Sequence, residues 1–306
     1  MIDSILGSVR PFAKHRVWIF SDLQQSEPAK ARAGLSTAVE DYRRLGLPCD
    51  RFWYLGDAIE GDDPSRLEEM AAMHVELLEP LGVPLRYALG NHDLDLLRSG
   101  RGVVGLDALP FARTVGGVPG WCTIAGMEQF YFMDELGDYA VVFLSDHAAA
   151  SGEWASTHGV VHGDADRYPH GPEAYEALRR EIAACGKPVI LAGHYAFAGG
   201  NRPSALLNRL LPLPDNVLVH FHGHAHIGDA QWAGKDCYRK IGFTEGQPLV
   251  QINVSSLEND RGSAVRSVFL EIYEDGGMGV YFRDHDRAAW AELYVMDAPV
   301  AGRGRP

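Results

Sequence analysis

"RVWIFSD" at residues 16–22 and "RFWYLGD" at 51–57 share one design, a short apolar run that breaks off at an aspartate. "PLRYALGNHD" (84–93) is a third version, ending on Asn91, His92 and Asp93. Short apolar runs without polar alternation suit strands buried on both faces. Helical periods lie between them. Leu35, Val39, Tyr42 and Leu45 share one face over 29–46. Leu67, Met70, Met73 and Leu77 do the same over 64–80, which opens after Asp63 as N-cap with Pro64 at N1. Strands separated by helices predict βαβ units and a largely parallel sheet.

Further along, "FYFMDEL" (130–136) and "YAVVFLSD" (139–146) flank Gly137-Asp138, a two-residue hairpin signal, although the usual order puts Gly second. "GPEAYEALRREIAACG" is a helix, and "PVILAGH" a strand ending on His194. After a histidine cluster, "PLVQINVSS" and "SVFLEIYEDGGMGVYFRD" read as β-hairpins. The outline is a β-sandwich of two sheets flanked by helices. The chain of 306 residues reads as one domain, 1–306, with a core over about 16–284 and a flexible tail at 301–306.

Composition excludes some classes. The 41 acidic residues outnumber the 28 basic ones, for a net charge of −13, so no basic footprint for nucleic acid is present. No apolar run approaches a membrane span. "MIDSILGSVRPFAKHR" has no basic region followed by a sustained apolar core, so no secretory signal is expected. Cys49, Cys122, Cys185 and Cys237 are scattered and form no CxxC pair, which suits a reducing compartment, the cytoplasm by default.

The chemistry-bearing side chains sit where the apolar runs end. "SDLQ" supplies Asp22 and Gln24, "LGD" Asp57, "GNHD" Asn91 and His92, "AGH" His194, and "HGHAH" His224 and His226. Ligands gather at the carboxyl ends of strands in open α/β sheets, so one rim can collect them all. Carboxylate, amide oxygen and neutral imidazole suit manganese, iron or zinc, and the lack of Cys in the set argues against structural zinc.

In the order D-x-(H) … G-D-x-x-(D) … G-N-H-(D/E) … G-H … G-H-x-H, the chain resembles the calcineurin-like metallophosphoesterase superfamily over about residues 16–284. The resemblance implies an α/β fold, a four-layer αββα sandwich with two mixed β-sheets flanked by helices. It implies two divalent ions, with manganese the expected choice and iron, zinc, cobalt or magnesium the alternatives. Metal A would be held by Asp22, Gln24, Asp57 and His226, and metal B by Asp57, Asn91, His194 and His224. Two such ions acidify a water between them into a nucleophile at neutral pH and clamp the attacked phosphate. In the family the histidine of GNH, here His92, faces the leaving group as general acid or electrostatic stabiliser. Its orienting partner is the last Asp of G-D-x-x-D, a position occupied here by Glu60.

The implied activity is hydrolysis of a phosphate ester or diphosphate bond in a small phosphorylated substrate of nucleotide type. A phosphomonoesterase or a cyclic-nucleotide phosphodiesterase is the alternative. A non-catalytic interaction module on the same fold remains open as a different class, but such modules lose several ligands, and here one position of seven is altered. That position is Gln24, where most of the superfamily has His. Either metal A is weakened, or the chain resembles the manganese-dependent ADP-ribose/CDP-alcohol diphosphatase-like branch, which carries D-x-Q.

Other residues keep two readings. His222 is a substrate contact or a packed, hydrogen-bonded core histidine, and His220 is the latter. Asn201 and Arg202 bind phosphate or sugar, or Arg202 is a plain surface charge. Asp93 and Asp95 are helix-start residues before they are catalysts. The stretch 147–171, with His158, His162, Asp164, Asp166 and His170, is a solvated insertion or an extra metal site, and if ordered a lid over the metals.

Overall fold

Val17 and Ile19 point one way from their strand and Trp18 and Phe20 the other, and all four are buried. That double burial explains why the run has no polar alternation, and it sets the layering of the molecule. In the computed structural model the described residues are 13–25, 27–58, 67–88, 90, 92, 131–144, 172–198, 207–228, 239–244, 247–259 and 264–296.

The strands are β1 (His15–Phe20), β2 (Arg51–Leu55), β3 (Leu85–Ala88), β4 (Tyr131–Leu136), β5 (Tyr139–Leu144) and β6 (Val189–Gly193), followed by β7 (Val217–His222), β8 (Arg239–Thr244), β9 (Gln247–Asn253), β10 (Arg266–Ile272), β11 (Met278–Asp284) and β12 (Ala289–Met296). One sheet runs β12-β11-β10-β1-β2-β3 and the other β4-β5-β6-β7-β9-β8. Both are mixed. β1, β2 and β3 are mutually parallel, while β10 joins β1 antiparallel with Ile19 opposite Val268. In the second sheet β5, β6, β7 and β9 are parallel, and the outer strands β4 and β8 are antiparallel.

Three apolar clusters fill the spaces between four layers. Between the sheets lie Val17, Ile19, Trp53, Phe143, Ile190, Phe221, Ile252 and Val268, among others. The outer face of the first sheet packs Trp18, Phe20 and Phe52 against helices α1 (Pro28–Leu45) and α2 (Leu67–Leu78). The outer face of the second packs Val142, Leu144 and Leu191 against Tyr175, Leu178 and Ile182 of α3 (Pro172–Ala184). The expected αββα sandwich is therefore the observed one. Trp18 is fully buried and stacks on Tyr42 at 4.9 Å between ring centroids, and truncating so buried an indole costs about 3–5 kcal/mol.

The helices follow their sequence signals. Leu35, Val39 and Tyr42 form the buried face of α1, which has Pro28 in its first turn and ends on Gly46 at φ 60°. The start expected for α2 at Asp63 and Pro64 lies outside the described residues. The hairpin at Gly137-Asp138 pairs Leu136 with Tyr139. Gly137 takes φ 59° while Asp138 is not among the positive-φ residues, and a positive first residue matches the II′ type, which wants Gly first.

Candidate metal centre

The parallel strands of both sheets deliver their carboxyl ends to one rim. β1 ends at Ser21 and Asp22, β2 at Gly56 and Asp57, β6 at His194, β7 at Gly223 and His224, and β9 at Asn253 and Ser255. The chain turns sharply after several of these ends. Asp22, Asp57, His224, His226 and Ser255 have φ of 57°, 56°, 65°, 44° and 67°. A left-handed backbone at a residue with a side chain costs on the order of 1–2 kcal/mol. Strain gathered at one place marks a site whose geometry is held for use.

Backbone hydrogen bonds hold that geometry. The Asp22 amide donates to Gly56 O (3.0 Å), and the amides of Leu23 and Gln24 donate to Asp57 O (2.8 and 3.0 Å). The His224 amide donates to Asp22 Oδ2 (2.9 Å), and the His92 amide to Asp57 Oδ1 (2.8 Å). The glycines of the motifs serve this crowding. A Cβ on Gly90 would collide with the Asp57 carboxylate and backbone, and one on Gly223 with Ser21 and Asp22.

Two groups of ligand-capable atoms result, each with its atoms within 4.8 Å of one another: Asp57, His194 and His224, and Asp22, Asp57 and His226. Asp57 belongs to both. His194 donates through Nδ1 to Leu55 O (2.7 Å), which leaves Nε2 facing Asp57 Oδ2 at 3.0 Å. His226 Nε2 stands 3.0 Å from Asp22 Oδ1. The Gln24 amide end lies 2.9 Å from the same nitrogen, and Gln24 Oε1 is buried with no hydrogen-bond partner.

Burial works against the Asp57 charge, but His194 and the neighbouring imidazoles outweigh it and hold the carboxyl below its usual range. Asp22 is likewise held low against its burial, chiefly by His226. Burial also disfavours charge on His194 and His226, yet the facing carboxylates raise them to about 9 and about 10. Ionised carboxylates, imidazoles and an orphaned amide oxygen form a donor set that fits divalent cations of the manganese-to-zinc series.

The sequence-predicted residues fall into three sets. Asp22, Gln24, Asp57, His194, His224 and His226 come together at the rim, with His92 bonded to Asp57 through its backbone. His222 does not join them. It is 1% exposed, its Nδ1 lies 3.0 Å from Gly223 O, and burial holds its pKa down to about 4. His222 is thus packed at the end of its strand, where the turn at Gly223 and the positive φ of His224 break the alternation. His220 is fully buried beside Phe197. Asn91, Glu60, Asn201, Arg202, Asp93, Asp95, the 147–171 insertion and the 301–306 tail lie outside the described residues.

Two neighbours went unnoticed in the sequence. Glu258 Oε1 stands 3.0 Å from His226 Nδ1, and the Tyr195 ring lies 4.4 Å from the His224 ring. "NVSSLEND" did carry a signal for Glu258, since it is another apolar strand breaking into polar residues. Reading β9 only as a hairpin arm hid its parallel pairing with β7.

Comparisons with known proteins agree with the fold that carries this rim. A dimetal phosphatase from Danio rerio superposes with a TM-score of 0.66 at 13% identity, over 94% of this chain and 100% of that one. A purple acid phosphatase from yellow lupin seeds gives 0.56 at 15%, over 94% and 54%. GAP50, the anchor in the inner membrane complex of Plasmodium, gives 0.50 at 13%, over 94% and 90%. At such identities the likeness is one of fold. No match was found among curated protein sequences. Among the described residues no helix is long and apolar enough to cross a membrane. The calcineurin-like phosphoesterase family model matches residues 15–228. The chain belongs to the calcineurin-like phosphoesterase family, whose members are hydrolases acting on phosphate esters.

Proposed function

We propose that this chain hydrolyses a phosphate ester or diphosphate bond of a small phosphorylated molecule at a centre of two divalent ions. The observation that carries the reading is the shared Asp57, which belongs to both ligand groups at the rim. In the proposed assignment Asp22, Gln24, Asp57 and His226 hold one ion, and Asp57, Asn91, His194 and His224 the other. Bound there, such ions would supply Lewis acidity toward phosphate and acidify a water between them.

The chain's own residues do the rest. The Leu55 carbonyl fixes the His194 tautomer and the Asp22 carboxylate receives the His224 amide, so the donors are set before any substrate arrives. His92, tethered to Asp57 by its amide, is proposed to face the leaving group and give it a proton, with Glu60 orienting the ring. Gln24 at the position that is usually His supports a manganese preference, since an amide oxygen is a hard, neutral donor. The same residue supports diphosphates of nucleotide type over monoesters or cyclic nucleotides. Asn201 and Arg202 are proposed contacts for the substrate's phosphate or sugar.

GAP50 carries a related fold as an anchor, so fold alone does not decide catalysis. Retention of the two ligand groups favours the enzyme. The test is a screen of phosphomonoesters, cyclic nucleotides and nucleoside-diphosphate compounds with manganese, zinc or no added metal. Manganese-dependent turnover highest on a diphosphate bond is the expected result. Turnover confined to monoesters or cyclic nucleotides would refute the diphosphate assignment, and none on any class would refute catalysis.

A further inference from the structure

The loop that follows β9 is fastened directly to the Asp22 turn. Leu257 and Glu258 donate their amides to the Asp22 carbonyl (3.2 and 3.0 Å), and the Leu257 amide also reaches Ser21 O at 3.0 Å. Ser255 sits at φ 67°, with its amide on Asn253 Oδ1 (2.8 Å), and Ser256 Oγ donates to Glu258 O (3.2 Å). From the other side α1 presses on the loop. A Cβ on Gly34 would stand 2.6 Å from Leu257 O, so only glycine lets the helix come this close. The whole arrangement puts one side chain, Glu258, at 1% exposure with Oε1 3.0 Å from His226 Nδ1. Burying a carboxylate is costly unless it meets a donor or a charge, and this loop accepts that cost beside one particular imidazole.

We infer that Glu258 is a positioning residue, which keeps the His226 proton on Nδ1 and turns Nε2 toward Asp22 and Gln24 as a strengthened donor for the first ion. The inference rests on the two-ion reading above. A carboxylate behind an imidazole fixes its tautomer and ring orientation and increases its donor strength. The two proposed sites differ in this respect. His194 is held from behind by a backbone carbonyl, that of Leu55, and His226 faces a side-chain carboxylate, that of Glu258. The asymmetry falls where it is needed. Gln24 brings only a neutral amide oxygen to the first site, so that site depends more on the strength of its one imidazole.

Manganese binding by the full chain tests this, with equilibrium dialysis, elemental analysis and the manganese electron-spin spectrum as readouts. Wild type is expected to bind two ions per chain with the spectrum of a coupled pair. Glu258→Met removes the acceptor, and it is expected to keep one ion while the other weakens roughly 10- to 100-fold. Its spectrum then becomes that of an isolated ion. Glu258→Gln restores an acceptor oxygen and is expected to recover most of that affinity and the coupled spectrum. Loss of a single ion with rescue by Gln is an outcome that a general packing role does not produce. Two ions of wild-type affinity in Glu258→Met would overturn the inference. So would a Gln variant as impaired as the Met variant, or loss of both ions together in the two variants. Fewer than two ions in wild type would instead refute the two-ion reading, and the inference with it.

Discussion

Asp41 and Asp57 are both buried aspartates facing a histidine, one on the buried face of α1 and the other at the rim of the sheets. Around Asp41 the hydrogen bonds close on themselves. Arg283 grips the carboxylate through Nε and Nη2 (2.7 and 2.9 Å), and His285 Nδ1 lies 2.8 Å from Oδ2. His285 Nε2 meets Ser267 Oγ at 2.6 Å, and Trp18 Nε1 donates to that same oxygen at 2.7 Å. The Asp41 carboxylate can only accept, so the His285 proton goes from Nδ1 to Asp41; burial holds the imidazole neutral, so its Nε2 accepts the Ser267 proton. Ser267, His285 and Asp41 thus have the connectivity of a nucleophilic triad. Their exposures of 0%, 1% and 1% seal them from any substrate.

Around Asp57 the same residue types behave differently. Their ligand atoms converge, two aspartates and two histidines sit at positive φ, and Gln24 Oε1 has no hydrogen-bond partner. Buried polar groups that satisfy each other are structure. Buried polar groups that converge under strain and leave an acceptor over form a donor set that fits a cation.

The contrast makes separable predictions. Asp41→Ala leaves the Arg283 charge buried without its carboxylate, and it is expected to lower stability by about 3–5 kcal/mol in urea unfolding. Turnover per folded molecule is expected to stay near wild type, and a large loss there would put Asp41 in the working site after all. The same pair predicts an acid response. Burial pushes the Asp41 carboxyl up, but Arg283 and His285 outweigh it and hold it well below its usual range. A depressed folded value means that the stabilisation is complete above the unfolded value of about 3.9 and fades as pH falls below it. Wild type is therefore expected to lose more stability than the variant on acidification through that range. Parallel curves would contradict it.

At the rim, His92→Ala is expected to lower kcat on the order of 10²-fold, as for loss of a general acid, without changing metal content. The deficit is expected to shrink for a nitrophenyl substrate, whose leaving group needs little protonation. Lost metal in that variant would mean that His92, and not Asn91, is the ligand. The smallest effect is expected from Gln24→His. An imidazole there is expected to tighten the first ion by roughly tenfold, the lower end for changes around a bound metal, and to move preference toward zinc. Unchanged affinity would remove Gln24 from the ligand set and with it the case for a diphosphatase-like chain.

Much of this was legible before the structure. "RVWIFSD" and "RFWYLGD" announce strands buried on both faces, because only a layer on each side tolerates such runs. The breaks at Asp22, Asp57, His194 and His224 announce a rim, because polar side chains appear where the strands leave the core. Partners set by long-range pairing were not legible. Glu258 reaches His226 only because β9 lies parallel to β7 and its loop hangs on the Asp22 carbonyl; the break in "NVSSLEND" marks a polar strand end but not the residue it meets. The Asp41 network escaped for the same reason, since its members Trp18, Ser267, Arg283 and His285 are scattered along the chain.

The central claim is that Asp57 joins two ion sites into one hydrolytic centre. The measurement that tests it most directly is the manganese content and the turnover of wild type and Asp57→Asn, side by side in metal-replete buffer. Two ions per chain with turnover in wild type, against a folded variant with ions lost and turnover at the uncatalysed background, is the predicted result. Substantial turnover in Asp57→Asn, or an unchanged count of two ions, would contradict the account.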